Sequence, residues 1–327
     1  MNKKKYVNRN YLTTTRIIAL GFLITVIVGT ILLSLPIASA NGTWTDLLTA
    51  AFTSTTSVCV TGLVVVDTFS YWSLFGKGVI LILIQIGGLG IVSIITLFML
   101  LLRMKITLKS TMLLQDAFNL NSKQGLLKFT IKVIKGTFLI EGIGALIYSF
   151  YYCREYGFLK GIWFSVFHAV SAFCNAGIDI MGADSLISYH SNLLMMLNTS
   201  FLIIMGGIGF IVWWDTVEAF RRIRTKRCSI RSAWNGVHLQ TKIAIFMTLL
   251  LLIGGTIVIY FLERSNPDTL GNLSEKDRIL NAFFQSVTFR TAGFAAVSQV
   301  ALRPVTAFFG VLLMMIGGSP VGTAGGM

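Results

Sequence analysis

The chain has 327 residues, of which 54% are hydrophobic and 12% charged, with a formal net charge of +14. A soluble domain carries about 25% charged residues, so the composition excludes a water-soluble globular protein and points to an integral membrane protein. The uncharged runs far exceed the roughly ten-residue alternating strands of a membrane barrel, which excludes that class too.

Taken in chain order, the apolar segments follow a long–short–long rhythm. Ile17–Ile37 is long and is expected to be a retained helix, because the apolar region of a signal peptide is shorter. The segment Trp44–Ser57 is short and rich in Ser and Thr. Gly78–Leu102 runs 25 residues without a charge. The rhythm restarts with Gly136–Cys153, interrupted by Glu141, then the short Gly161–Phe173 and the long Asn192–Trp214. A third cycle has Ile243–Leu262, the short Arg278–Phe289 and the long Val305–Met327. The expected units are residues 1–118, 119–235 and 236–327.

The basic residues are placed by topology. Lys3–Arg16, Arg103–Lys135 and Arg221–Lys242 hold 19 of the 27 Lys and Arg. By the positive-inside rule these blocks face the cytoplasm, so the N-terminus is expected to be cytoplasmic in a multi-pass cell-membrane protein. Nucleic acid is not an expected partner; the bilayer is.

The short segments align in register. They read AFTSTTSVCVTGL, FHAVSAFCNAGI and FFQSVTFRTAGF, and share Gly62, Gly177 and Gly293, 115 and 116 residues apart. A phenylalanine stands ten positions before each glycine, at Phe52, Phe167 and Phe283. A second anchor recurs in each following long segment: Gly87-Gly88-Leu89-Gly90, Gly206-Gly207-Ile208-Gly209 and Gly317-Gly318. A helix of about 12 residues spans about 18 Å, short of a bilayer core of roughly 30 Å. Each short segment is therefore expected to dip in as a half-helix and return as extended chain ending near its glycine. Non-helical backbone at membrane depth is tolerated when buried in protein or lining water. Carbonyls there can replace an ion's hydration shell, and glycine lets backbone approach an axis closely. The half-helix adds its negative C-terminal end.

These residues carry a resemblance. Val58–Leu63, Phe173–Ile178, Phe289–Phe294 and the tail Ile316–Gly326 resemble the membrane subunit of the Trk/Ktr/HKT cation transporter superfamily, closest to KtrB-like potassium-uptake subunits. The resemblance implies an all-α integral membrane fold of membrane helix–re-entrant pore helix–membrane helix repeats around a pseudo-fourfold axis. Three repeats are present here, the third incomplete, and a fourth of roughly 115 residues is expected beyond Met327. It further implies uptake of a monovalent cation, K⁺ favoured, with Na⁺ or Na⁺/K⁺ translocation as the alternative. The implied filter backbone is Cys59-Val60-Thr61-Gly62, Cys174-Asn175-Ala176-Gly177 and Arg290-Thr291-Ala292-Gly293. The implied gate is the tail around Gly317, Gly318, Gly322, Gly325 and Gly326. The implied partners are a second copy and a cytosolic nucleotide-binding ring of the KtrA/TrkA type. No organic cofactor is expected in the chain.

Single residues carry narrower expectations. Arg290, three positions before Gly293, would repel a cation if it faced the pore, so it is expected to point away and pair with a carboxylate or with carbonyls. Glu141 is expected to be paired inside the bundle, by a Lys or Arg, or to serve an ion-coupling step. Asp67 and Asp179 follow their glycines and either collect cations at an outer mouth or are ordinary loop carboxylates. The cysteines, Cys59, Cys153, Cys174 and Cys228, show no metal-ligand spacing. An enzyme using His168 with Cys174 or Asn175 is disfavoured, because those positions are one copy of a repeated pattern. A non-transporting scaffold or sensor on the same fold is the other alternative. Gly87-Gly88-Leu89-Gly90 is expected inside an apolar helix, where small residues permit close packing.

Overall fold

The structure is a computed structural model that describes residues 14–90, 93–94, 126–182, 185–226 and 229–326. Lys3–Arg9, Arg103–Lys123, Arg227 and Cys228 lie outside the described residues. Among the described residues there are 12 α-helices and no strand. In chain order come α1 (Thr14–Ser34), α2 (Leu47–Val58), the short α3 (Thr68–Tyr71) and α4 (Leu74–Leu89). Then follow α5 (Leu126–Tyr156), α6 (Phe158–Phe173), α7 (Leu193–Gly207) and α8 (Phe210–Lys226). After α9 (Ile230–Asn235) come α10 (Leu239–Glu263), α11 (Glu275–Thr288) and α12 (Pro304–Ile316).

The distribution of polarity is inverted relative to a soluble protein. On α1, Leu23, Ile24, Ile27 and Ile31 are exposed, and on α10 so are Ile243, Phe246, Leu250, Ile253 and Phe261. The short helices are the buried ones: α6 buries Phe167, His168, Ser171 and Phe173, and α2 buries Thr53, Ser54, Thr56 and Ser57. In a bilayer the lipid covers the outer faces, so hydroxyls can sit inside wherever they find partners. In α2 they do. Thr53, Thr55 and Ser57 donate to carbonyls four residues back at 2.9, 2.7 and 2.6 Å. Ser54 crosses to the Val26 carbonyl of α1 at 2.8 Å. Ser286 of α11 does the same to the Leu252 carbonyl of α10 at 3.1 Å.

Local signals set where the short helices begin. Asp46 caps α2 by accepting from the Leu48 and Thr49 amides. Ser274 accepts from the Asp277 amide at the start of α11, in a Ser-x-x-acidic arrangement that satisfies otherwise orphaned N–H groups. α1, α5 and α10 are long and apolar enough to cross a membrane, and α7 and α8 are apolar enough to do so only as a pair, bent by 98° at their junction.

That bend corrects one expectation. Asn192–Trp214 is not one helix: α7 stops at Gly207, Gly209 has φ +96°, and α8 leaves in a new direction. The other glycine anchors behave alike. α4 ends at Leu89 with Gly90 at φ +77°, so the Gly87–Gly90 cluster closes its helix rather than lying within it. α12 ends at Ile316 with Gly317 at φ +61°, so the helical part of Val305–Met327 is only its first half. Close packing is still part of the story: a methyl group on Gly87 would overlap the Val58 carbonyl, and one on Gly88 would lie 2.7 Å from Cys174 Cβ.

Candidate functional site

The three aligned segments fold alike around their glycines, the third half-helix ending one residue earlier relative to its glycine than the other two. α2, α6 and α11 end at Val58, Phe173 and Thr288. Two positions before each glycine a non-glycine residue is left-handed: Val60 at φ +53°, Asn175 at +57° and Thr291 at +69°. The glycines follow at +80°, +63° and +87° for Gly62, Gly177 and Gly293. Alternating backbone handedness turns successive peptide groups so that their N–H bonds lie on one side and their carbonyls on the other.

The hydrogen bonds fix which side is which. The N–H groups of Thr61, Ala176 and Ala292 donate back to their own half-helices, to the carbonyls of Thr56, Ser171 and Thr288 at 2.9, 2.8 and 2.9 Å. A hydroxyl then braces the residue after each glycine. Thr56 Oγ1 accepts from Leu63 N–H at 3.1 Å, Ser171 donates to the Ile178 carbonyl at 2.5 Å, and Thr288 to the Phe294 carbonyl at 2.7 Å. The carbonyls of residues 60–62, 175–177 and 291–293 accept no hydrogen bond from the described residues. Left-handed backbone is costly for Val60 and Thr291, roughly 1–2 kcal/mol each. Strain of that kind survives where the surrounding bonds over-determine it.

These three extended glycine segments, strands that pair into no sheet, converge in the order first, second, third. A methyl group on Gly62 would sit 2.7 Å from the Ala176 carbonyl oxygen. One on Gly177 would sit 2.7 Å from Gly293 Cα, and one on Gly293 would sit 3.2 Å from Gly177 Cα. Ala176 and Ala292 are buried, whereas Cys59 and Thr61 of the first strand are exposed. They face a cavity of about 760 Å³ bounded by the first strand, Thr291 of the third and Thr323–Gly325 of the tail.

On one side of the glycines lies a polar vestibule of about 350 Å³, walled by Val64–Thr68, Ile178 and Gly182, in which Asp67 and Asp179 both stand. Partial burial opposes the charge on Asp67. Hydrogen bonds from the Ser70 hydroxyl and the Phe69 and Ser70 amides outweigh it, with Lys77 adding attraction, and hold the carboxyl below its ordinary value.

On the other side the tail folds back under the strands. The break between α7 and α8 frees the Gly206 and Gly207 carbonyls and the Phe210 N–H, and the tail re-satisfies all three. Thr323 N–H donates to Gly206, Ser319 N–H to Gly207, and Phe210 N–H to Val321, at 3.0, 2.8 and 2.9 Å. Within the tail, Gly318 N–H donates to Gly325 at 2.8 Å. Gly317 and Gly326 are left-handed, and a methyl on Gly322 would lie 2.8 Å from the Gly206 carbonyl. Gly325 N–H reaches Thr291 Oγ1 at 2.8 Å. Asn175, its amide oriented by its neighbours, accepts from Ala324 N–H at 3.3 Å.

The charged residues settle as follows. Arg290 is buried and donates from Nε to the Gly317 carbonyl at 3.0 Å and from Nη2 to Thr248 Oγ1 at 3.4 Å. Glu141 is paired by a neutral group rather than a Lys or Arg: Gln85 Nε2 of α4 lies 3.1 and 3.3 Å from its two oxygens. His168 is buried with Nδ1 3.2 Å from the Phe164 carbonyl, and makes no hydrogen bond to Cys174 or Asn175. Among the described residues no cluster of His, Cys, Asp and Glu could hold a metal ion. Thr323 lies within the tail that the sequence reading marked, but it was not singled out there; its signal is a hydroxyl, shared with Ser319, in a glycine-rich segment.

Apolar helices long enough to cross a membrane, packed around short buried helices that each lead into a glycine-bearing extended segment, define a helical integral membrane protein. The chain belongs to the TrkH family, described as cation transport protein, whose model matches residues 3–327. It is 40% identical over 319 residues to the potassium/sodium uptake protein NtpJ of Enterococcus hirae, covering 98% of this chain and 68% of that one. It is 38% identical to the Ktr system potassium uptake protein B of Bacillus subtilis, covering 100% of this chain and 70% of that one. The crystal structure of the potassium transporter TrkH from Vibrio parahaemolyticus shares the fold, with a TM-score of 0.65 at 15% identity, covering 98% of this chain and 60% of that one.

Proposed function

We propose that the chain is the pore-forming part of a monovalent-cation uptake subunit, with K⁺ as the favoured ion. The observation that carries this reading is the set of carbonyls at residues 60–62, 175–177 and 291–293 that accept no hydrogen bond from the described residues, while the Thr61, Ala176 and Ala292 N–H groups turn back to their half-helices. Such carbonyls at membrane depth need partners, and a dehydrated cation supplies them. The names of the relatives, potassium uptake and potassium/sodium uptake, support the same ion class and keep Na⁺ as the second reading. Residues 59–62, 174–177 and 290–293 act as filter strands, and the cavity beside the first is the side that a fourth strand takes in the pseudo-fourfold reading. The three units divide at residues 118 and 235. Gly317–Gly326 acts as the gate below the filter. The subunit works in the plasma membrane, N-terminus inside, as a homodimer on a cytosolic nucleotide-binding ring. Rb⁺ flux into vesicles carrying the full-length subunit with its cytosolic partner tests the proposal; no flux refutes it.

Two outcomes refine it. Gly62→Ser lowers the K⁺/Na⁺ flux ratio, because a side chain at φ +80° beside the Ala176 carbonyl displaces both strands. An unchanged ratio counts against the filter assignment. Asp67→Asn raises the half-saturating cation concentration about threefold at low ionic strength and less in high salt, as a screened vestibule charge requires. The folded-state pKa of Asp67 is depressed, so its charge and its contribution to stability persist above the unfolded value and are lost only as pH falls through the lower folded one. Cation affinity in the parent therefore keeps the Asp67 contribution until the pH falls below the ordinary aspartate range. A parent and an Asn variant with equal affinities at low salt would remove Asp67 from the entry path.

A further inference from the structure

Each carbonyl in the last turn of α6 has a partner, and one of those partners comes from far away in the chain. Val170, Ser171 and Ala172 accept from the N–H groups of Cys174, Ala176 and Asn175 at 2.9, 2.8 and 3.2 Å. The last carbonyl, that of Phe173, accepts instead from the Thr323 hydroxyl at 2.8 Å. Phe173 is the final helical residue, so its carbonyl stands at the negative end of the half-helix dipole. Thr323 is held in place by its own N–H, which donates to Gly206 at 3.0 Å. Gly206 leaves no room between them: a methyl group there would lie 2.5 Å from Thr323 Oγ1 and overlap the Phe173 carbonyl. Thr323 also lines the cavity shared by the first strand, Thr291 and the tail.

We propose that Thr323 is a positioning residue that competes with the permeating cation for the Phe173 carbonyl. With the tail seated, the hydroxyl proton neutralises the end of α6. When the tail lifts, that carbonyl is released to a monovalent cation below the strands. The hydroxyl and the cation seek the same partial negative charge, so each weakens the hold of the other. A cation that favours the lifted tail must, by the same coupling, bind better when the latch is missing. The link from Gly325 N–H to Thr291 Oγ1 seats the tail on the third strand, but it donates to a side chain and leaves the half-helix carbonyls untouched.

This inference rests on the transporter reading, and the test separates the two. In the full-length subunit with its cytosolic partner, Rb⁺ flux is measured against Rb⁺ concentration for the parent, Thr323→Val and Thr323→Ser. Val keeps the shape and removes the donor; Ser keeps the donor. The half-saturating concentration falls about fivefold in the Val variant, the fold-change of one neutral hydrogen bond, and it is read separately from the maximal flux. The Ser variant stays with the parent. A folded Val variant with the parent's half-saturation overturns the competition, as does one whose half-saturation rises. If the Val variant does not fold, Thr323→Ala is read in its place by the same criterion. A parent without flux overturns the transporter reading and the latch together.

Discussion

Gly177→Ala abolishes cation flux through the full-length subunit while leaving enough folded protein in the membrane to measure it. Gly177 is the middle glycine of the three strands, and two separate costs meet there. Its φ of +63° is left-handed, which costs an alanine roughly 1–2 kcal/mol. Its added methyl would overlap the Ala292 carbonyl oxygen and lie 2.7 Å from Gly293 Cα. Both obstacles are backbone, so neither can swing aside as a side-chain tip would. The third strand has to move, and it is fixed behind by Ala292 N–H on Thr288 and by the Thr288 hydroxyl on Phe294. Displacing a carbonyl that replaces hydration weakens cation binding by at least about tenfold for each 1.4 kcal/mol lost. Gly157→Ala is the control. Gly157 has φ +80° with nothing within 4 Å of the added methyl, so it carries the backbone strain without the collision. Rb⁺ flux normalised to folded protein should vanish for Gly177→Ala and persist for Gly157→Ala. Equal flux in both would mean that the strands do not converge on an ion path.

The contrast between these glycines marks what could be read in the sequence. The register of Gly62, Gly177 and Gly293, with Phe52, Phe167 and Phe283 ten positions earlier, located all three half-helices, which end within a residue or two of the expected places. The membrane class followed from composition, and the long uncharged runs excluded a barrel. The bend between α7 and α8 did not, because apolar residues continue on both sides of Gly209 and hydrophobicity cannot distinguish a straight span from a broken one. What holds the bend open is the tail, whose Val321 carbonyl meets Phe210 N–H from 111 residues away. Nothing near Phe210 signals that partner. Glu141 is similar. A carboxylate in an apolar run suggested a Lys or Arg nearby, but the partner is Gln85, 56 residues earlier, an amide whose charge count is zero and whose sequence signature is silent. The recurring Gly-Gly pairs did mark the sites of all three helix ends. Their meaning as ends, rather than as packing positions, depended on φ values that a sequence does not carry.

Arg290→Ala lowers the thermal survival of the folded subunit, and this effect is expected to exceed any change in ion preference. Arg290 occupies the same register as Cys59 and Cys174, yet its side chain leaves the strand and turns to the end of α12. There Nε meets the Gly317 carbonyl, at the negative end of that helix, and Nη2 meets Thr248 on α10. Among the described residues no carboxylate lies within ion-pair distance of it. One helix-end carbonyl and one hydroxyl are thus its partners, which suits a guanidinium better than an ammonium because its donors fan out in a plane. Truncation leaves the Gly317 carbonyl without that donor and opens a void where the side chain was. The loss of a charge-assisted hydrogen bond alone is about 1.5–3 kcal/mol. Arg290→Lys keeps a charge on a thinner stem and should fall between parent and Ala. Heating in detergent followed by size-exclusion chromatography measures the surviving fraction, and Rb⁺/Na⁺ flux ratios measure selectivity. An Ala variant that survives heating like the parent but shifts the ion ratio would move Arg290 from brace to ion reader. The geometry supports the brace for a physical reason: the buried guanidinium turns away from the Gly293 segment and ties residue 290 to Gly317, where α12 gives way to the tail, and to Thr248 on α10.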